Sequence, residues 1–561
     1  MLDHYKYHKQ FFENGIYGLL SRVDRNPDDE EYGYVRNNWS DYYEGDWYFG
    51  IALAFVEAYY IEGIRSYHDD ELLRAVDDIY SAIEKYIHED GTMDLRVTNY
   101  HDPSLCAFVV RDTAGPMLEL FDTFSTHTEL EDKTEAHLRS IVKKMAPAIK
   151  HLGFHTPNHR WIFCAALSYI KKYLGDNEAQ SVMDKFFWEG IDCDEYGEYT
   201  ERSTGLYNRI CNHSFVSLAH TYDKKFIEYP TRNMRLMRSF YEPDNSICTL
   251  GSLRQDKGKS QNVDFYYMIY LPLALSTRDP EFAFYSDRAL NNILADGIKN
   301  DRPIEYIDAF IMYFLMSEPE WTKSETYESI PSYLPKRDLD IFLPNSGTGR
   351  VYLDGGATAT VLRTSAPDFF KFQIGKYSIV ARAGGAFFGN PHSQFRPKKM
   401  EKTENGFRLI SNEEAGYRSQ LDEPPETSDW HRMDHSKRHI LNVRRFDTVV
   451  DISFSGRKVA FDVDFGGDEY IPVKFELTMT PGGKVETDNM NFIARAGDYV
   501  YLKNGGMTMR FDGGTSVKIC GGAYKHFTAE DMRGTEHVPS DSFTVCFTGS
   551  TPDKLHFEIE Y

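Results

Sequence analysis

Two stretches decide the fold: Thr156-Pro157-Asn158-His159-Arg160-Trp161 and Gly197-Glu198-Tyr199-Thr200-Glu201-Arg202-Ser203-Thr204-Gly205-Leu206-Tyr207-Asn208, the second followed one turn on by Asn212-His213. Each is a polar cluster set where an apolar three-and-four pattern begins, so each reads as the mouth of a helix. Thr156 with Pro157 predicts an N-cap followed by proline at the first helical position, and Ser203 and Thr204 precede a helix beginning near Leu206. Outward from these, the same periodicity predicts helices at 6–21, 47–64, 71–88, 107–124, 131–151, 159–173, 178–187, 207–222, 225–241, 263–274, 280–294 and 304–315. About twelve helices in about six pairs, joined by short polar turns, predict an (α/α) toroid, with an open helical solenoid as the competing arrangement.

Beyond 327–349, where Pro331, Pro335, Pro344, Gly347 and Gly349 punctuate the chain, the apolar period becomes two. Strands are expected at 351–353, 358–363, 369–374, 378–383, 439–454, 458–465, 473–479, 492–496, 499–502, 507–511, 516–520, 542–547 and 554–560. Short strands with Gly-rich turns indicate an antiparallel β-sandwich. The chain therefore reads as multidomain, α then β: a toroid over 1–335 and a sandwich over 336–561.

Composition narrows the function. With 561 residues, two or three domains are expected. The net charge of −23 argues against nucleic acid as a partner, and mildly against a highly sulfated polyanion unless a local basic cleft overrides the global field. Aromatic content of 15% suits sugar stacking, though large cores use aromatics too. No segment reads as a membrane span or a signal peptide, so a cytoplasmic protein is expected, or a secreted or periplasmic one if a leader was removed. The 7 cysteines lack paired spacing and suggest free thiols. His213 and His220 have no acidic companion at a convincing spacing, so neither a metal nor any other cofactor is expected.

Asn158, His159, Arg160, Tyr207, Asn208 and His213 together form the inventory for β-elimination on a uronic acid. The C5 proton of such a sugar becomes removable once its carboxylate is neutralised by hydrogen bonds, the logic of an oxyanion hole. A Tyr or His then takes that proton, and another delivers one to the departing O4. Asn208 and Asn212, four apart, share a helical face, and Tyr207 points about 100° away. Taken singly, each has a plainer reading: Asn158 satisfies helix-end donors, His159 is a surface histidine, Tyr207 is a buried tyrosine. The Asn208/Asn212 pair is harder to explain that way, because asparagine is a mediocre helix former. Further polar islands are Asn99-Tyr100-His101-Asp102-Pro103 with Arg111-Asp112 beyond it, and Arg254-Gln255-Asp256, whose guanidinium suits a carboxylate. An aromatic and amide-rich run at 37–47 ends in Trp47, and in the sandwich His392 sits in the loop 387–394 expected to reach back to the helical cleft.

These motifs resemble the heparinase II/III-like polysaccharide lyases, in an uncharacterised bacterial branch. Similar members share the Thr156–Trp161 helix start, the 197–208 block, an Asn-x-His-x-Pro turn matched by Asn99, His101 and Pro103, the Arg-Gln-Asp of 254–256, and an Ala-Phe-Phe-Gly turn matched by 386–389. The resemblance implies a toroid followed by a sandwich. It also implies Asn158, Asn208 and Arg254 as carboxylate-neutralising groups, Tyr207 as base or acid, and His159 or His101 as its partner. Asn99, Arg160, Glu201, Asn212, His213, His392 and Trp47 are the expected substrate contacts. Asn212-His213 departs from the Asp-Arg of similar sequences, and no metal-binding triad aligns in the sandwich.

The leading expectation is thus a lyase acting on a uronic-acid-containing oligosaccharide or polysaccharide, with a homo-oligomer left open. One alternative is a toroid glycoside hydrolase using a carboxylate pair drawn from Glu198, Glu201, Asp94 or Asp112. The other is a non-catalytic glycan-binding protein.

Overall fold

The computed structural model describes every residue except 27, 30–31, 36–44, 296–303 and 528–531, and omits the side chains of 45–47. The chain divides into two compact units, one of 1–238 with 252–337, the other of 239–251 with 338–561.

The first unit is a closed double ring of helices. Gly45–Tyr60, Gly115–Phe124, His159–Leu174, Tyr207–Thr221, Tyr267–Thr277 and Tyr306–Met316 pack each on the next, and the last packs back on the first. That closure selects the toroid over the solenoid. His4–Leu20, Asp70–Glu84, Glu129–His151, Asn177–Trp188, Glu228–Met237 and Pro280–Ala295 lie outside the ring. Sequence explains the layering. Inner helices are apolar nearly all round, as in Tyr306–Met316, which is buried from Asp308 through Met316. Outer helices are one-sided: Asp70–Glu84 buries Leu72, Leu73, Val76, Ile79, Tyr80 and Ile83 and turns its acids outward.

Three details differ from the sequence reading. The helix expected over 107–124 is Pro103–Val109, a π turn at Val110–Ala114, and Gly115–Phe124. The helix expected over 225–241 is 3₁₀ at both ends. The polar island at 99–103 forms part of a small hairpin, Met93–Leu95 with Asn99–Asp102. No helix among the described residues is long and apolar enough to cross a membrane.

The second unit is a two-sheet sandwich. The strands of its 9-stranded sheet run in the order Asn491–Ile493, Lys484–Thr487, Gly506–Arg510, Ser516–Cys520, Asp553–Glu560, Lys458–Gly467, Ile440–Ser455, Gly406–Arg418 and Lys399–Lys402. The 8-stranded sheet runs Tyr499–Tyr501, Phe543–Ser550, Pro472–Met479, Tyr377–Gly385, Phe370–Ile374, Ala357–Leu362, Thr348–Leu353 and Ile341–Leu343. All pairings are antiparallel except Tyr499–Tyr501 beside Phe543–Ser550. Alternation drives the packing: Lys458–Gly467 buries Val459, Phe461, Val463 and Phe465 and exposes the residues between. Phe557 sits among Phe461, Phe475 and Phe547, with ring centroids 4.7–4.9 Å apart. The long strand Gly406–Arg418 escaped the sequence reading because its second half, Asn412-Glu413-Glu414-Ala415-Gly416, lacks apolar alternation.

The segment Ser239–Gly251 belongs to this unit, although it lies far upstream in sequence. A buried ion pair anchors it. Arg350 donates through Nη2 to Glu242 Oε2 (2.6 Å) and through Nε to the Ser239 carbonyl (2.9 Å), while Thr358 and Lys371 also donate to Glu242. Burial pushes the Glu242 carboxyl up, but the charges of Arg350 and Lys371 outweigh it and hold it down to about 2. Breaking such a pair strands one charge in the interior. Arg350→Met is therefore expected to lower the unfolding free energy of this unit by about 3–5 kcal/mol, measured by urea denaturation. The double variant with Glu242→Leu should recover most of that loss. A single variant as stable as the parent would mean that the segment is held by other contacts.

Candidate active site

Five chain segments of the first unit converge at the start of helix Tyr207–Thr221. Ser203 begins the arrangement: its hydroxyl accepts from the Tyr207 N–H (2.9 Å) and its carbonyl accepts from the Asn208 N–H (3.0 Å). Asp256 locks this turn to the Arg254 loop. One of its oxygens accepts from Ser203 (2.8 Å) and Ser252 (2.6 Å), and the other accepts from the Gly205 N–H (2.9 Å). The Leu253 N–H donates to the Glu201 carbonyl (3.1 Å), a second tie between the same two loops. Gly197, at φ +94°, opens the block; a Cβ there would meet the Arg232 carbonyl at 2.6 Å, so only glycine fits.

This scaffold aims two groups at one carboxylate. Asn158 donates through Nδ2 to both oxygens of Glu201 (2.9 and 3.2 Å), and Arg254 Nη1 forms an ion pair with Oε1 (2.9 Å). The same guanidinium lies 4.3 Å from the centre of the Tyr207 ring. Burial raises the Glu201 pKa, and the Asn158 hydrogen bond and the Arg254 charge only partly offset it. Asn158 Oδ1 is buried without a partner, as is Asn208 Oδ1. A buried amide oxygen left open is costly unless a ligand donor meets it.

His159 is the first residue of its helix, 8% exposed, and its Nδ1 is 2.9 Å from the Ser104 hydroxyl. Burial, reinforced by the charge of His155 and opposed by that of Asp102, pushes its pKa down to about 4, so the imidazole is neutral near pH 7. Asp102 caps the helix bearing Ser104 by accepting from the Ser104 N–H (2.8 Å), and Asn99 donates to Asp102 (3.0 Å). Asn99 thus acts two steps away from His159. Thr156 does not cap the helix as expected. Its carbonyl accepts from the His159 N–H (3.1 Å) in a turn, and Asn158 occupies the cap position without capping. The side chain of Asn158 is thereby left for Glu201.

The remaining expected residues fall elsewhere. His101 is exposed, bonded to Asp90 (2.8 Å) and stacked on His88 at 3.9 Å. Arg160 turns toward Glu189 and Asp192, both at 3.5 Å. Asn212 is fully buried; it accepts from the Tyr199 hydroxyl and donates to Asn233, both at 2.8 Å. Asn208 lies on the same buried face, with Nδ2 3.5 Å from Met237 Sδ. His213 is buried against Phe310, and burial with the charge of Arg111 pushes its pKa down to about 3. His392 belongs to the second unit, where Nδ1 is 2.9 Å from Glu413. The side chain of Trp47 lies outside the described residues, as does most of the run at 37–47.

Of the carboxylates weighed for hydrolysis, Asp112 is held by Arg111 (2.8 Å) and Asp94 by His88 (2.9 Å) and the His101 N–H (2.8 Å). The π turn matters here: it carries Arg111 and Asp112 inward, and Arg111 also donates to Ser214 (2.7 Å). Sequence reasoning left out Ser104 and Asp256 as site residues. Only Asp256 had a visible signal, in the Arg-Gln-Asp segment. No group of three or more potential ligands among the described residues is placed to hold a metal ion.

With this geometry in place, the comparisons bear on the fold. No protein-family model matches the chain, and no curated protein matches it. Solved structures do. Over 99% of its length the chain aligns with 84% of a heparinase III gene product with methylated lysines (TM-score 0.56, 11% identity). Over 98% it aligns with 84% of heparinase III (TM-score 0.54, 10% identity). Over 99% it aligns with 82% of a mutant heparan sulfate lyase HepC from Pedobacter heparinus (TM-score 0.51, 10% identity). The chain therefore has the toroid-plus-sandwich fold of the heparinase II/III-like lyases.

The buried histidines carry a pH signature. Both His159 and His213 have folded-state pKa values below the unfolded value of about 6.5, so the unfolded chain binds more protons at mildly acidic pH. Their contribution is present above about pH 6.5 and is lost as pH falls toward about 4. The urea midpoint of the helical unit is expected to fall over that range, and His159→Gln to flatten the slope. An unchanged slope in His159→Gln would show that this imidazole titrates alike in the folded and unfolded chain.

Proposed function

We propose that the chain is a lyase that cleaves a uronic-acid-containing glycan by β-elimination. The observation that carries this reading is the convergence of Asn158 and Arg254 on a single carboxylate, with the Tyr207 ring against the same guanidinium. In the protein alone that carboxylate is Glu201. A substrate uronate has the same charge and shape, and Asn158 and Arg254 would neutralise it as negative charge develops on its carboxyl oxygens. Tyr207, its ring against the Arg254 guanidinium, would remove the C5 proton and return one to O4 as that bond breaks. His159, neutral and held by Ser104, would hydrogen-bond the sugar or relay a proton. The fold supports the same class of chemistry, because the solved structures aligned above are named as a heparinase or a heparan sulfate lyase.

Glu201 has a specific part in this scheme. Its raised pKa lets it take a proton and release Arg254 when a substrate carboxylate arrives. The same feature suits a general acid, which favours the hydrolase as the second reading. A hydrolase needs a free second carboxylate, however, and nearby Asp256 is fully engaged by Ser203, Ser252 and Gly205.

Incubation with uronate oligosaccharides is expected to give an unsaturated product that absorbs in the ultraviolet, and Tyr207→Phe to slow its formation roughly 10²–10⁴-fold. Cleavage without new absorbance would mean hydrolysis, and full activity in Tyr207→Phe would remove the tyrosine from the mechanism. Glu201→Gln, which withdraws the internal competitor, is expected to lower KM for the uronate substrate. A raised KM would instead make Glu201 a strut that holds Asn158 and Arg254 in place.

A further inference from the structure

The long hairpin of the sandwich leaves one strand edge open. Strand Gly406–Arg418 has only Lys399–Lys402 beyond it in its sheet, and that short strand pairs with residues 407–410 and stops. From 411 to 418 the strand bonds to Ile440–Ser455 on one side and to no strand on the other. Alternation decides which groups are affected. Odd-numbered residues bond toward Ile440–Ser455, as the Ser419 N–H does in donating to the His439 carbonyl. Even-numbered ones bond the other way, as the Ile410 carbonyl does in accepting from the Lys398 N–H. Asn412, Glu414, Gly416 and Arg418 therefore turn their backbone N–H and C=O groups to the open edge. Lys398 Nζ donates to the Asn412 carbonyl (2.7 Å), and the other groups have no partner among the described residues.

Such edges are ordinarily blunted by lysine, proline or a bulge on the edge strand. The segment Ser411-Asn412-Glu413-Glu414-Ala415-Gly416-Tyr417-Arg418 contains neither lysine nor proline. Its register shift lies on the neighbouring strand, between Leu441 and Arg444. Beside the edge, apolar side chains are left in water: Tyr417 is 62% exposed, its cross-strand partner Leu441 52% and Val443 51%. Phe388, also exposed, sets its ring 5.2 Å from that of Tyr417. Unpaired backbone groups flanked by an apolar patch are the surface to which a further strand adds.

The edge is complementary to itself, which names the occupant. Set antiparallel to a second copy, with a two-fold axis at Ala415, Asn412 faces Arg418, Glu414 faces Gly416 and Ala415 faces its own equivalent. The four outward-turned residues then form hydrogen-bonded pairs. Ala415 and Gly416, both small, leave room at the axis, and Glu414 of one copy lies diagonal to Arg418 of the other. Both charges are available for this. Arg418 makes no ion pair among the described residues, and Glu414 has only Arg445, at 3.9 Å with both side chains largely exposed. Glu413, by contrast, is already held by His392 (2.9 Å) and Lys398 (2.7 Å). We infer that residues 412–418 form a homodimer interface, in which two copies of the chain join their 9-stranded sheets edge to edge. The interface is independent of the proposed reaction.

Sedimentation velocity on the full chain at rising micromolar concentration is expected to show a reversible dimer. Glu414→Pro removes an outward N–H and no bond to Ile440–Ser455, so it should unfold thermally like the parent. It should raise the dimer dissociation constant roughly tenfold or more, because each change counts twice across a two-fold axis. Glu414→Arg, which faces Arg418 with a like charge, should weaken the dimer in the same way, and adding Arg418→Glu to it should restore the dimer. Register is read by Ala415→Cys. Facing residues at a non-hydrogen-bonded position lie about 4.5 Å apart between Cα atoms, within disulfide reach. Mild oxidation should therefore cross-link Ala415→Cys into dimers, and leave the parent and Asn412→Cys uncross-linked. A monomer at every concentration overturns the interface and leaves the edge to a different chain. A dimer that neither Glu414→Pro nor Glu414→Arg weakens overturns it as well, since another surface would then hold the copies together. Cross-linking of Asn412→Cys in place of Ala415→Cys overturns the pairing.

Discussion

The shared carboxylate of Glu201 is the contact on which the site depends. It draws Asn158 from the start of one inner helix and Arg254 from a loop next to another. Asp256 supplies the rigidity beneath them by accepting two hydrogen bonds from the turn that begins the Tyr207 helix and one from Ser252 in its own loop.

Charge balance separates structure from recognition elsewhere in the chain. Arg350 and Glu242 satisfy each other in the sandwich, Arg111 and Asp112 in the π turn, and Arg238 and Glu281 in the outer ring (2.7 Å). Each is a buried pair with its hydrogen bonds filled, the form in which an interior tolerates ions. At the candidate site, by contrast, Asn158 and Asn208 leave buried amide oxygens without donors.

Much of this was legible in the sequence, and the failures have physical causes. The helices at 159–173 and 207–222 were predicted within a residue or so, because their apolar spacing and polar starts agree. The π turn at Val110–Ala114 left no trace in periodicity, since one extra residue in a turn barely shifts an apolar stripe. Strand Gly406–Arg418 was missed where charge replaces alternation. Within the site, Asn158, Tyr207, Glu201 and Arg254 come together, whereas Asn212 serves a buried polar network and Arg160 turns to other carboxylates. Asparagine pairs at helical spacing look the same in sequence whether they face a ligand or a neighbouring helix.

The sequence by itself determined the two architectures, the helix starts that carry the polar clusters, and the residue types from which a carboxylate site can be made. Period and capping are local, so a linear pattern records them. Only the tertiary structure decided that the helices close into a ring and that Glu201 occupies the grip of Asn158 and Arg254. Those outcomes depend on which side chains from distant segments arrive within hydrogen-bond reach, and that is set by packing.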